Sequence, residues 1–163
     1  MNIRTVNLND AAQIAEIYNY YIQNTHHTFE TEPLGVEEMQ KRIGAVSEEY
    51  PYLVAEENGE IVGYAYAAQF KLRQAYAHSV EVSIYVRNEA RQKGIGKALY
   101  AKLFDELAET SIHAIVAGIA LPNDASVKFH ERLGFEKVAR FREIGYKLGR
   151  WIDVGYWEML NRI

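Results

Sequence analysis

The sequence predicts an α/β domain, a mixed sheet with helices on its faces, in the order βαα, β-hairpin, βαβα, ββ. Three observations predict it. Apolar residues at helical spacing alternate with short β-branched runs, Asn58-Gly59 separates two apolar runs as a hairpin turn does, and a strand, a glycine-bearing turn and a helix succeed one another between Val80 and Leu107. With 163 residues, 48% of them hydrophobic and 25% charged, the chain has the size and balance of one globular domain with its own core. No repeat, low-complexity tract or linker divides it, so residues 1–163 are expected to form a single domain.

Met1 to Val6 reads as the first strand. Asp10, with Gln13 three residues later, has the form of a capping box, and Ala11, Ile14, Ala15, Tyr18, Tyr21 and Ile22 recur behind it at helical spacing. Asn24 to Leu34 is a polar loop, and a short helix runs from Val36 to about Ala45. Tyr52 to Glu56 and Ile61 to Ala68 pair antiparallel around Asn58-Gly59. Ser79 to Val86, rich in β-branched and aromatic residues, is a further strand. Leu99, Leu103, Phe104 and Leu107 place a helix that begins near Gly96 or Lys97. Ile115 to Leu121 is almost wholly apolar, as a strand buried on both faces is. A helix over Asn123 to Leu133 stops at Gly134, and Phe135 to Ile144 and Trp151 to Met159 are the last two strands.

Composition narrows the chemistry. The absence of cysteine excludes disulfides, thiolate metal sites, iron–sulfur clusters and a cysteine nucleophile. His26, His27, His78 and His113 lack zinc-ligand spacing and no calcium loop occurs, so no metal is expected. The net charge of −4 argues against a nucleic-acid or anionic-membrane surface, and the longest apolar run, Ile112 to Leu121, is too short to span a bilayer. A cytoplasmic protein is expected. Between Arg87 and Lys97, however, Arg87, Arg91, Lys93 and Lys97 face only Glu89, a local +3 against −7 for the rest. That is the signature of a small anion site.

The segment Arg91-Gln92-Lys93-Gly94-Ile95-Gly96-Lys97 lies between a strand and a helix. Successive backbone N–H groups at such a helix start cradle an anion, and glycines let a phosphate come close. It is neither a P-loop nor a dinucleotide fingerprint, because Gly-x-x-x-x-Gly-Lys-Ser/Thr is absent and Leu99 stands where a third glycine is needed.

This turn, together with Asn123-x-x-Ser126-x-x-x-His130-x-x-x-Gly134-Phe135, resembles the two central motifs of the GCN5-related N-acetyltransferase superfamily. More narrowly, Arg73-x-x-Tyr76, Val80-Glu81-Val82-Ser83, Leu121-Pro122-Asn123-Asp124 and Gly145-Tyr146-Lys147-x-Gly-x-Trp151-x-Asp153-Val154-Gly155 resemble the branch that acetylates phosphinothricin and methionine sulfoximine. The resemblance implies a mostly antiparallel mixed sheet, splayed at its centre and flanked by about four helices. It implies acetyl-CoA as co-substrate, with the diphosphate on Gln92, Lys93, Gly94, Ile95, Gly96 and Lys97 and the pantetheine pairing like a strand with Ile84, Tyr85, Val86 and Arg87. Asn123 and Ser126 lie at the second motif, where Asn123 can contact pantetheine or simply cap its helix.

Acetylation needs a neutral amine. Glu81, between Val80 and Val82, is the candidate base, since desolvation there would raise its pKa, although strand alternation alone equally allows a solvent-facing carboxylate. His130 stands where many superfamily members carry a tyrosine acid, and it can donate to the thiolate, relay a proton or hold the cofactor, or be a satisfied structural histidine. Arg73 suits a bidentate grip on a substrate carboxylate, with Lys71 a solvated neighbour, and Phe29 and Tyr76 are expected to line the substrate site, with Glu30 and Glu32 solvated. Tyr146, Trp151, Tyr156 and Trp157 suit a core, a pocket or a subunit interface. The expected function is transfer of acetyl from acetyl-CoA to the α-amine of a small amino-acid analogue in a ternary complex, by a homodimer. The alternatives are acetylation of a protein N-terminus, lysine or polyamine, or a non-catalytic acetyl-CoA-binding sensor.

Overall fold

The computed structural model describes residues 1–91 and 93–161. Its strands and helices in chain order are β1 (Asn2–Thr5), α1 (Ala11–Asn24), α2 (Val36–Ser47), β2 (Tyr52–Glu57), β3 (Glu60–Gln69), β4 (Ser79–Val86), α3 (Ile95–Ala108), β5 (Ala114–Leu121), α4 (Asp124–Arg132), β6 (Glu136–Lys147) and β7 (Arg150–Leu160). The strands follow the order β1-β2-β3-β4-β5-β7-β6 in one mixed, mostly antiparallel sheet. The parallel neighbours are β4 and β5, in register over Ser79–Glu81 against Ala114–Val116. No helix among the described residues is long and apolar enough to cross a membrane.

Two compact units, each built from three stretches of chain, share these elements. The first comprises Met1–Asn19, Leu34–Ala68 and Val82–Ser111. Here β2 and β3 pair antiparallel, and both turn residues take positive φ, 51° at Asn58 and 81° at Gly59. That is the geometry the Asn-Gly pair predicts. The core of this unit gathers Ile14 and Ile17 of α1, Met39 and Ile43 of α2, Leu53, Val54 and Ala55 of β2, and Ile95, Leu99, Leu103 and Leu107 of α3. Tyr100, fully buried, takes the core place expected of Phe104, which is half-buried against it with ring centroids 4.9 Å apart.

The start of α1 departs from the sequence reading. A 3-10 turn, Leu8–Asp10, leads into α1, and Asn7 caps that turn: its side chain accepts from the Asn9 N–H at 2.8 Å, and the Asp10 carboxylate closes the box on the Asn7 N–H at 2.8 Å. Asp10 is buried and takes two further bonds from the Arg4 guanidinium at 2.8 and 2.9 Å. Burial alone would raise its pKa; the Arg4 bond and the Asn7 N–H outweigh that and hold it below the usual value. Gln13 serves elsewhere, accepting from the Ile61 N–H at the start of β3 at 2.8 Å.

The second unit comprises Tyr20–Pro33, Gln69–Glu81 and Ile112–Ile163. Its spine is the antiparallel ladder of β5 on β7, from Ala114↔Leu160 to Leu121↔Asp153. β6 runs past its expected end at Ile144 to Lys147, because Leu148 and Gly149 both take positive φ and turn the chain directly into β7. The loop after α1 is tied down within this unit. Lys147, buried, donates from Nζ to the Thr28 carbonyl at 2.7 Å. His26 Nδ1 accepts from Arg150 and Nε2 donates to the Pro122 carbonyl, both at 2.8 Å. A guanidinium only donates and a carbonyl only accepts, which fixes the imidazole tautomer.

Candidate active site

The glycine turn lies in the first unit. Gly94 caps α3 with φ 79°, a conformation that favours glycine, and the first intrahelical bond runs from the Ala98 N–H to the Gly94 carbonyl at 3.1 Å. The amides of Ile95, Gly96 and Lys97 therefore precede the helix ladder, as an anion cradle requires. The helix starts at Ile95, one residue ahead of the expected Gly96, since the left-handed residue is Gly94 and the Ile95 side chain is in the core. Lys93 and Lys97 are exposed beside the turn. Gln92 lies outside the described residues.

At the end of β4, Ile84, Tyr85, Val86 and Arg87 are half-buried. Arg87, expected at the pantetheine edge, has its main chain and its guanidinium engaged within this unit. Its N–H donates to Val62 at 2.8 Å, its carbonyl accepts from Ala90 at 2.9 Å, and its guanidinium bonds Glu16 at 2.9 Å and the Ile61 carbonyl at 3.2 Å.

The second unit holds the titratable candidates. Glu81, at the end of the parallel register, is half-buried, and burial pushes its carboxyl above the usual value. Among the described residues its carboxylate has no hydrogen-bond or ion-pair partner. His130 is buried on α4 between the rings of Phe129 and Phe135, both 5.3 Å from it and nearly perpendicular. Its Nδ1 lies 2.8 Å from the Ser126 carbonyl, so Nδ1 carries the proton. Burial lowers its pKa more than this bond raises it, which favours the neutral ring. Asn123 is the cap of α4, accepting from the Ser126 N–H at 3.2 Å, as its bland reading required.

Arg73 precedes the single turn Gln74–Tyr76 and is exposed, and its guanidinium has no ion-pair partner among the described residues. Lys71 is more than a solvated neighbour: its ammonium sits 5.3 Å from the Phe70 ring centre and 5.6 Å from that of Tyr76. Phe29 packs on Gly145, where an added Cβ would collide with its ring. The aromatic set divides. Trp157 is core and donates from Nε1 to Glu131 at 3.1 Å, Tyr156 is half-buried, and Tyr146 and Trp151 are exposed with ring centres 4.9 Å apart. Sequence reasoning missed the anchoring roles of Lys147 and His26: the motif that contains Lys147 says nothing of Thr28, and the partners of His26 lie about a hundred positions away.

The family model for the acetyltransferase (GNAT) domain matches residues 3–155. This chain belongs to the GNAT acetyltransferase family. It is an acyltransferase with the mixed, mostly antiparallel GNAT sheet. Among similar proteins, a phosphinothricin N-acetyltransferase of Streptomyces coelicolor is 42% identical over 153 residues, covering 91% of this chain and 90% of that one. An L-methionine sulfoximine/L-methionine sulfone acetyltransferase of Salmonella typhimurium is 35% identical, covering 98% and 94%. The crystal structure of a phosphinothricin acetyltransferase from Sinorhizobium meliloti in complex with acetyl-CoA superposes with TM-score 0.94 at 37% identity, covering 98% of this chain and 87% of that one.

The direction of the Glu81 shift has a consequence for stability. An acid whose folded pKa is raised contributes most at low pH and loses that contribution as pH rises through the folded value. Glu81→Gln removes the ionisation. The melting temperature of Glu81→Gln relative to wild type is therefore expected to rise as the pH climbs past the ordinary glutamate value of about 4.3 and through the raised folded value. A pH series of thermal melts checks this, and a difference that falls with pH contradicts it.

Proposed function

We propose that this GNAT enzyme transfers the acetyl group of acetyl-CoA to the α-amine of a small amino-acid analogue of the phosphinothricin or methionine sulfoximine type, by direct attack in a ternary complex. The observation that carries the reading is Glu81, a desolvated carboxylate without a cation beside it among the described residues. A carboxylate held for structure is ordinarily paired, as Asp10 is with Arg4. Left unpaired and raised, it is suited to take a proton from an incoming ammonium. The names of the Streptomyces and Salmonella relatives support the substrate class.

The residues of the glycine turn fit a diphosphate. Gly94 takes the left-handed conformation, three amides precede the helix ladder, and Lys93 and Lys97 add positive charge. Acetyl-CoA, when bound, supplies the electrophilic acetyl thioester. Glu81 takes a proton from the substrate ammonium and so leaves the nitrogen lone pair free to attack. Arg73 holds the substrate carboxylate, with Tyr76 and Phe29 on the walls. His130, neutral with its proton on Nδ1, cannot donate from Nε2, so it acts by accepting and relaying a proton instead of as a resting acid for the thiolate. The functional unit is a homodimer, for which the exposed Val138, Phe141, Ile144, Tyr146 and Trp151 of the β6–β7 hairpin supply an apolar surface.

Four results are expected. Glu81→Gln keeps acetyl-CoA binding while kcat at neutral pH falls by about 10² or more, the usual scale of general-base catalysis; wild-type turnover would show that the base is elsewhere. The wild-type enzyme prefers an amino acid to its methyl ester by about 30-fold or more in kcat/KM, and Arg73→Ala erases most of that preference. Lys71→Ala, which loosens the Phe70 and Tyr76 rings, lowers both substrates together, whereas an unchanged acid preference in Arg73→Ala assigns the carboxylate to another residue. Sedimentation at micromolar concentration yields a dimer, and a monomer rejects the assembly.

A further inference from the structure

The two ring nitrogens of His26 reach different elements of the second unit. Nδ1 accepts from Arg150 Nη2, at the start of β7, and Nε2 donates to the Pro122 carbonyl, between β5 and α4, both at 2.8 Å. Only a neutral ring with its proton on Nε2 makes both bonds. The Pro122 arm continues into α4. Asn123, next in the chain, accepts from the Ser126 N–H at 3.2 Å, and the Ser126 carbonyl accepts from His130 Nδ1 at 2.8 Å. On its own loop His26 precedes Phe29, which lies on the bare backbone of Gly145, and its ring meets that of His27 edge-on with centroids 5.0 Å apart. One half-buried imidazole therefore joins the segment that carries the proposed acceptor wall to the segment that opens the helix of the proposed proton relay.

We propose that His26 is a positioning residue for the acceptor, setting through Arg150 where the Phe29 loop sits on the β6–β7 hairpin and through Pro122 where α4 begins. The inference rests on the reading of Phe29 as an acceptor wall and of His130 as the relay. The loop has another tie, the buried Lys147 ammonium of β6 on the Thr28 carbonyl at 2.7 Å. A single tie leaves a loop free to pivot about it. The bond to Arg150, on the neighbouring strand, removes that pivot and so fixes the direction in which Phe29 is presented. The arms differ in what they reach: the Arg150 arm ends at the acceptor wall and bears on binding, whereas the Pro122 arm leads to His130 and bears on turnover. Small displacements suffice, because misplacing a reacting group by about an ångström costs as much as about 100-fold in rate.

The test uses the full chain with acetyl-CoA and an amino-acid substrate. His26→Gln places an amide N–H where Nε2 stands and loses the acceptor for Arg150; it is expected to raise KM for the amine by about 3- to 10-fold, the scale of one lost hydrogen bond, with kcat unchanged. His26→Asn, whose side-chain oxygen takes the place of Nδ1, keeps the Arg150 bond and loses the Pro122 one, and is expected to lower kcat by about the same factor with the KM for the amine unchanged. Arg150→Met repeats the KM rise of His26→Gln, and the double variant adds nothing further, since both changes remove the same bond. KM for acetyl-CoA stays at its wild-type value throughout. If the His26 variants do not fold, Arg150→Met decides by the KM for the amine. Additive effects at His26 and Arg150, or equal changes in the KM for the amine and for acetyl-CoA, would show a general loosening and overturn the inference. Phe29→Ala is the control for the reading beneath it. A raised KM for the amine in Phe29→Ala, with wild-type kinetics in the His26 and Arg150 variants, overturns this inference alone; an unchanged KM in Phe29→Ala overturns the acceptor wall itself.

Discussion

A half-buried carboxylate that has no counter-charge among the described residues is the central constraint of the second unit. Glu81 stands where β4 and β5 run parallel, and burial there disfavours its charged form. Elsewhere this protein answers the same problem with a partner. Arg4 forks onto Asp10 and reaches Glu56 at 2.9 Å, and Arg140 bonds Asp153 at 2.9 Å. The second unit also buries a cation, Lys147, but satisfies it with a backbone carbonyl and not with this glutamate.

Each unit contributes a different kind of recognition. In the first, the proposed function rests on backbone: the left-handed Gly94 and the amides that precede the helix ladder, on a helix whose Ile95, Leu99, Leu103 and Leu107 are locked in the core. In the second it rests on side chains whose placement depends on neighbours that are far away in sequence. Phe29 needs the bare backbone of Gly145, and its loop is held by Lys147 on Thr28 and by His26 between Arg150 and Pro122. Lys71 stacks on the rings of Phe70 and Tyr76 beside Arg73. Loops of this kind vary readily, which suits a family whose members differ in their acceptors.

Signals that are local in sequence were legible. Asn58-Gly59 turned as its chemistry dictates, β4 spans the expected Ser79–Val86, and the helical spacing of Leu99, Leu103 and Leu107 located α3. Where a residue had two local partners, the nearest pattern misled. Asp10 and Gln13 fit a capping box, yet Arg4 and the Asn7 N–H claim Asp10, and the Ile61 N–H claims Gln13. Long-range commitments were not legible at all. Nothing in Arg87 tells that Glu16 and Ile61 will occupy it, nor does Lys147 announce a carbonyl 119 positions away. The motifs singled out Glu81 and His130, but the tautomer of His130 required coordinates.

The account turns on the protonation behaviour of one group, which can be observed directly. Carbon-13 NMR of the glutamate side-chain carboxyls, followed through a pH titration of wild type and of Glu81→Gln, assigns the Glu81 resonance by its disappearance. The account predicts a midpoint above the ordinary glutamate value of about 4.3. A midpoint at or below that value would show a solvated or paired carboxylate, and the central claim that this protein holds a desolvated base in readiness for an amine would be contradicted.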